Sequence, residues 1–122
     1  MTISGIHRYA GIAIVIGWAL LFVLGLALLI RRRDAGRWYW GLLTVLQVLL
    51  AVQLFAGLTY VGMGGRPAFL HYMYGAVFPG AVLVLCHGLT RGLDKPPYHM
   101  FFTAGAFFVF ALTSRSLMTG LG

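Results

Sequence analysis

Four long apolar runs separated by short polar connectors dominate the chain: roughly Ile6 to Ile30, Trp38 to Val61, Ala68 to Thr90 and Tyr98 to Thr113. Crossing a hydrocarbon core of about 30 Å takes roughly 20 helical residues at 1.5 Å each, so each run is read as a membrane-spanning helix. The predicted helices are therefore residues 6–30, 38–61, 68–90 and 98–113. The connectors, near Arg31 to Arg37, Gly62 to Pro67 and Arg91 to Pro97, leave almost nothing outside the membrane. The expected fold class is all-α, an integral membrane four-helix bundle forming a single domain over residues 1–122.

Local chemistry sets the expected boundaries. Ser4 is a candidate N-cap for the first helix, and Pro67 and the Pro96–Pro97 pair stand where prolines start helices three and four. Pro79 falls inside helix three, where it cannot donate to the carbonyl of Gly75, so a kink is expected there. Gly17, Gly25, Gly57, Gly80 and Gly105 are expected at close helix contacts. A secretory signal peptide is rejected at the N-terminus, because the apolar run after Arg8 is too long for one and basic residues follow it.

Of the 122 residues 61% are hydrophobic and 9% charged, which excludes an ordinary water-soluble domain. The net charge of +7 does not point to nucleic acid, since the arginines punctuate helix ends instead of forming a stripe. Arg31, Arg32, Arg33 and Arg37 lie in or beside the first connector and Arg91 and Lys95 in the third, against Arg8, Arg66 and Arg115 on the other side. The positive-inside rule then puts both termini outside the cytoplasm, and a prokaryotic inner membrane is the expected location. Trp38, Tyr39 and Trp40 are assigned to the inner aromatic belt, and Tyr9, Tyr60, Tyr72 and Tyr74 to the outer one.

Cys86 is the only cysteine, which rules out an intrachain disulfide and a covalent c-type haem motif and leaves it as a small core residue. The only carboxylates are Asp34 and Asp94, both in connectors. Paired-carboxylate catalysis and carboxylate proton relays inside the membrane are excluded, which also ranks a channel or transporter last.

Candidate chemistry rests on an echo between the two halves. His7-Arg8-Tyr9-Ala10-Gly11 opens the first run and His71-Tyr72-Met73-Tyr74-Gly75 the third, at an offset of 64 residues that also superposes the two basic connectors. A duplication of a helical hairpin would make helices one and three equivalent and diagonal, able to face each other across a bundle centre. The alternative is that two hydrophobic hairpins resemble each other anyway.

Two neutral histidines binding iron from opposite faces form a b-type haem site, with a glycine one turn away leaving room for the flat macrocycle. His7 with Gly11 and His71 with Gly75 satisfy that pattern, and Arg8, Arg66 and Arg115 at the same depth are candidates for haem propionates. Interfacial hydration of the histidines and snorkelling of the arginines are the competing readings. His87 and His99 form a less favoured second site. His71 and His87 are separated by about 24 Å and about 160° on an ideal helix, which points them nearly opposite ways. His99 also fits a place at headgroup level beside Tyr98. Gln47, Gln53 and Thr59 are polar groups at depth, assigned to helix packing by default. A quinone head beside the haem is compatible with the histidine, tyrosine and arginine cluster.

With four helices carrying His7, His71, His87 and His99, the chain resembles the four-helix transmembrane b-type cytochromes, including the cytochrome b561-like group. That resemblance implies haem b held by helix histidines and electron transfer through the membrane. The spacing of His71 and His87 departs from the same-face repeat that stacks two haems, so one haem is expected before two. The functional expectation is a small membrane electron-transfer protein or subunit, not a stand-alone enzyme. The alternative is an accessory subunit of a respiratory or photosynthetic complex, either cofactor-free or binding a chlorophyll-type pigment. Expected partners are membrane lipid and either further copies of the chain or a larger complex.

Overall fold

In a computed structural model, described over residues 3–66 and 69–121 with the side chains at 3–4 and 119–121 left aside, the chain is an all-α bundle of four helices. They are α1 (Ile3–Ile30), α2 (Arg37–Gly62), α3 (Phe69–Arg91) and α4 (Met100–Leu121). All four are long and apolar enough to cross a membrane, as the apolar runs predict. The surface is inverted relative to a water-soluble bundle. Ile30, Phe55, Phe69 and Val84 are each at least 70% exposed, and a bilayer is the solvent in which such side chains are at home.

The helices pack in a ring. α1 lies against α2 and α4, and α3 lies against α4, whereas the α2 and α3 backbones approach closely only at the Met73–Val77 turn. α1 and α3 are therefore diagonal, as are α2 and α4. Ile14, Trp18 and Leu21 of α1, Leu43 and Leu46 of α2, Cys86 of α3, and Phe102, Ala106 and Val109 of α4 form the core. Close approach depends on absent Cβ atoms: one at Gly17 would strike Leu46, one at Gly25 would strike Thr103, and one at Gly105 would strike Cys86. Gly80, also expected at a contact, has nothing beside it within 4 Å.

Three contacts recur at one sequence separation. His7 meets His71, Asp34 accepts from the Tyr98 N–H, and Tyr39 bonds Thr103, and each pair is 64 residues apart. Residues related by a twofold axis touch each other only on that axis. The three contacts lie between α1 and α3, between the two basic connectors, and between α2 and α4, so they mark a line down the bundle centre. The seam between α2 and α3 is looser than that between α4 and α1.

Several boundaries differ from the sequence reading. α4 begins at Met100, not at the proline pair: Asp34 holds the Tyr98 N–H at 3.0 Å, and the first helical bond is Thr103 N–H to the His99 carbonyl at 2.8 Å. α4 also runs beyond Thr113 to Leu121. The polar Thr113 and Ser116 do not end it, because the Thr113 hydroxyl folds back on the Val109 carbonyl and Ser116 bonds α3. Ser4 falls inside α1, so it is not an N-cap, and Pro67 and Ala68 lie outside the described residues. Just before Pro79, α3 makes a π-helical turn over Met73–Val77, closed by Phe78 N–H to the Met73 carbonyl. A wider turn directly before a residue that lacks a donor absorbs the missing bond.

Candidate functional site

The site is built where the N-terminal ends of α1 and α3 meet. The rings of His7 and His71 approach with centroids 5.9 Å apart and planes at 67°. Both side chains are half-buried. The pairing that the repeat predicts for diagonal helices is present.

Each histidine turn is held by a polar side chain of the helix that follows it. Ser116 of α4 donates its hydroxyl to the His71 carbonyl at 3.0 Å, and His71 Nδ1 lies 2.8 Å from the Ser116 carbonyl and 3.2 Å from its hydroxyl oxygen. A carbonyl only accepts, so Nδ1 carries the proton and the lone pair is left on Nε2. In the first half, the Gln53 amide of α2 donates to the His7 carbonyl. His7 Nδ1 is buried and, among the described residues, has no hydrogen-bond partner. A buried polar atom without a partner is costly in an apolar interior, a feature this nitrogen shares with Trp18 Nε1 and Thr90 Oγ1.

The two glycines of the echo serve this arrangement differently from the expectation. Gly11 and Gly75 do not front open slots. A Cβ on Gly11 would sit 3.3 Å from the Gln53 amide nitrogen, and one on Gly75 would press on the Ser116 hydroxyl. The space is used by the polar side chains that hold the histidine turns. Gly57 of α2 flanks the pair from the other side, where an added Cβ would touch His7 Cε1 at 3.7 Å.

Arg8 and Arg115 are adjacent in sequence to His7 and Ser116, so they lie at the depth of the pair, and Arg66 lies in the connector leading to α3. All three side chains are exposed.

His87 and His99 do not come together. His87 is exposed and its Nε2 bonds the Gln47 Oε1 of α2 at 2.8 Å, with its ring edge-on to Phe102 at 4.8 Å. His99 is fully buried within the bundle. Its Nε2 faces the Arg33 carbonyl at 3.4 Å and its Nδ1 the Thr103 hydroxyl at 2.8 Å, where Tyr39 also bonds at 2.8 Å. The polarity follows from the terminal carbonyl. Nε2–H donates to Arg33, Thr103 donates to Nδ1, and Tyr39 donates to Thr103, leaving neither His99 nitrogen free. Tyr39 thus leaves the aromatic belt for the interior, while Trp38 stays outside under the Arg37 guanidinium.

Sequence reasoning passed over Ser116 and Thr103 and read Tyr39 only as part of the aromatic belt. The available signal was a polar residue on an otherwise apolar helix, and that becomes informative only once its facing neighbour is known. Among the described residues no cluster of three or more histidine, cysteine or acidic side chains forms a metal-binding group. No protein-family model, curated protein or solved structure matches this chain.

Proposed function

We propose that this chain is a small membrane haem protein of the b-type cytochrome kind, with His7 and His71 as axial ligands, acting in electron transfer alone or as a subunit. The observation that carries the reading is the His7–His71 pair on diagonal helices, 5.9 Å between ring centres. The separation is that of an edge-to-face ring contact, so the support it gives is the meeting of two imidazoles from diagonal helices at one depth, as a bis-histidine site would require. The donor set fits as well. Ser116 holds the His71 proton on Nδ1 and leaves Nε2 to bind, while the His7 ring has a nitrogen in search of a partner.

When bound, the haem supplies reversible one-electron transfer. The protein's part is to orient the two imidazoles through Ser116 and Gln53, keep the pair in a low-dielectric bundle, and offer Arg8, Arg66 and Arg115 to the propionates at the rim. The loose seam between α2 and α3 is where a flat ring meets least resistance from packing. One haem is favoured over two, because His99 has both nitrogens engaged and His87 is turned to Gln47. In this reading the chain lies in a prokaryotic inner membrane, with the arginine-rich connectors in the cytoplasm and both termini outside it.

A second reading draws on the filled spaces at Gly11 and Gly75: a bundle closed by its own Gln53 and Ser116 suits a cofactor-free accessory subunit. An oxidised-minus-reduced spectrum of the chain purified in mild detergent from haem-replete cells, with a pyridine haemochrome assay, separates the two. Sharp reduced α and Soret bands at one haem per chain support the first reading. A colourless chain sinks it in favour of the second, and an extractable magnesium pigment moves the assignment to a pigment-binding subunit.

A further inference from the structure

At the end of the bundle opposite the histidine pair, α1 closes with Arg32 at φ +54°. Arg33 N–H bonds the Leu28 carbonyl at 2.8 Å and Arg32 N–H the Leu29 carbonyl at 3.1 Å, the two bonds of a Schellman motif. Its left-handed position normally belongs to glycine, because a Cβ there crowds the next carbonyl oxygen. Glycine is abundant in this chain, at 17 residues, yet a strained arginine occupies the turn.

Beside that turn lies a cavity of about 370 Å³ lined by Leu29, Arg32, Arg33, Asp34, Pro96 and Pro97. Asp34 Oδ1 accepts from the backbone N–H groups of Ala35 at 2.8 Å and Tyr98 at 3.0 Å, so its carboxylate ties the first connector to the third. Two arginines and one aspartate give the lining residues a net positive charge. Leu29 and the prolines make the remaining wall apolar, and the neighbouring Ile30, 74% exposed, ends the apolar span. The pocket therefore lies at the end of the α1 apolar span, open to the surface and lined by basic and apolar residues.

We propose that this cavity is a headgroup site for an anionic glycerophospholipid, with Arg32 and Arg33 taking the phosphate and Leu29 the glycerol and first acyl carbons. The charge keeps a strained arginine where glycine relaxes the backbone. Because the Arg33 carbonyl also receives His99 Nε2–H, a lipid held here braces the start of α4 as well as the end of α1.

The test uses the full chain in phosphatidylcholine nanodiscs with and without phosphatidylglycerol, reading the melting temperature, together with titration of a short-chain phosphatidylglycerol. Phosphatidylglycerol raises the melting temperature of the unaltered chain. R32G and R33Q each weaken binding about fivefold, whereas R31Q, which removes the same charge outside the cavity lining, leaves it within twofold of the unaltered chain. R32G also melts higher than the unaltered chain in pure phosphatidylcholine, because glycine relieves the left-handed turn. An R31Q loss as large as that of R33Q overturns the proposal, since it reports only diffuse surface charge. So does inorganic phosphate that reproduces the shift, which makes the site one for a free anion. Should R32G not fold, R33Q against R31Q decides alone.

Discussion

His7 and His71 face each other across the bundle centre with ring centroids 5.9 Å apart, although 64 positions separate them and their helices share no side. Only diagonal helices of like direction, entering the membrane from one surface, bring two residues of the same register together in this way.

If the pair holds haem, His71→Ala and His7→Ala each abolish the Soret band of the purified chain, whereas His99→Ala leaves it in place. Retention of a normal spectrum in His71→Ala removes the ligand assignment.

Ser116→Ala tests positioning. It deletes the hydroxyl bond to the His71 carbonyl but keeps the backbone acceptor for Nδ1, so stability falls by about 0.6 kcal/mol, the average for an interhelical hydrogen bond in a membrane protein. The ligand tautomer is retained, so a haem spectrum survives. Gly75→Ala is more severe, because its methyl displaces the Ser116 side chain from the turn. Absorption spectra of the two variants side by side check this order.

Gly25→Ala drives a methyl into Thr103 and costs about 1–3 kcal/mol of overpacking. Gly88→Ala has open space around it, and removing glycine from a helix interior gains about 0.5–1 kcal/mol. Opposite signs in detergent unfolding are the expected result, and equal signs contradict the packing described for α1 and α4.

Thr103→Val removes the shared partner of Tyr39 and His99, leaving His99 Nδ1 unsatisfied and Tyr39 with only its longer, 3.4 Å bond to the His99 carbonyl, costing about 1–3 kcal/mol. In Tyr39→Phe one donor is lost and Thr103 still donates to His99, so the expected cost is smaller. A reversed order in thermal unfolding refutes the directional chain Tyr39 to Thr103 to His99 to Arg33.

Membrane orientation is open to cysteine labelling in a Cys86→Ala background. Gly36→Cys in the arginine-rich connector is shielded from an impermeant thiol reagent in intact cells, and Met63→Cys, 70% exposed in the second connector, is labelled. The opposite pattern reverses the proposed topology.

The four spans were legible in the sequence because a helix that must cross hydrocarbon writes its length as an unbroken apolar run, whatever its neighbours are. The His7 and His71 echo was legible as well, since both histidines stand one turn before a glycine at the start of an apolar run. The helix ends were less so: α4 outruns Thr113 because Ser116 finds a partner on α3, which no local rule records. The use of Gly11 and Gly75 was invisible as well, since an absent Cβ leaves room for a macrocycle or for a side chain alike, and only the packed bundle places Gln53 and Ser116 there. His87 and His99 had the same standing in the sequence. The tertiary structure buried one in a closed hydrogen-bond chain and turned the other outward to Gln47, because a side chain's partners depend on which helix faces it. Hydropathy along one chain carries the number and length of the spans, and the facing of four helices around a common axis decides which polar groups meet.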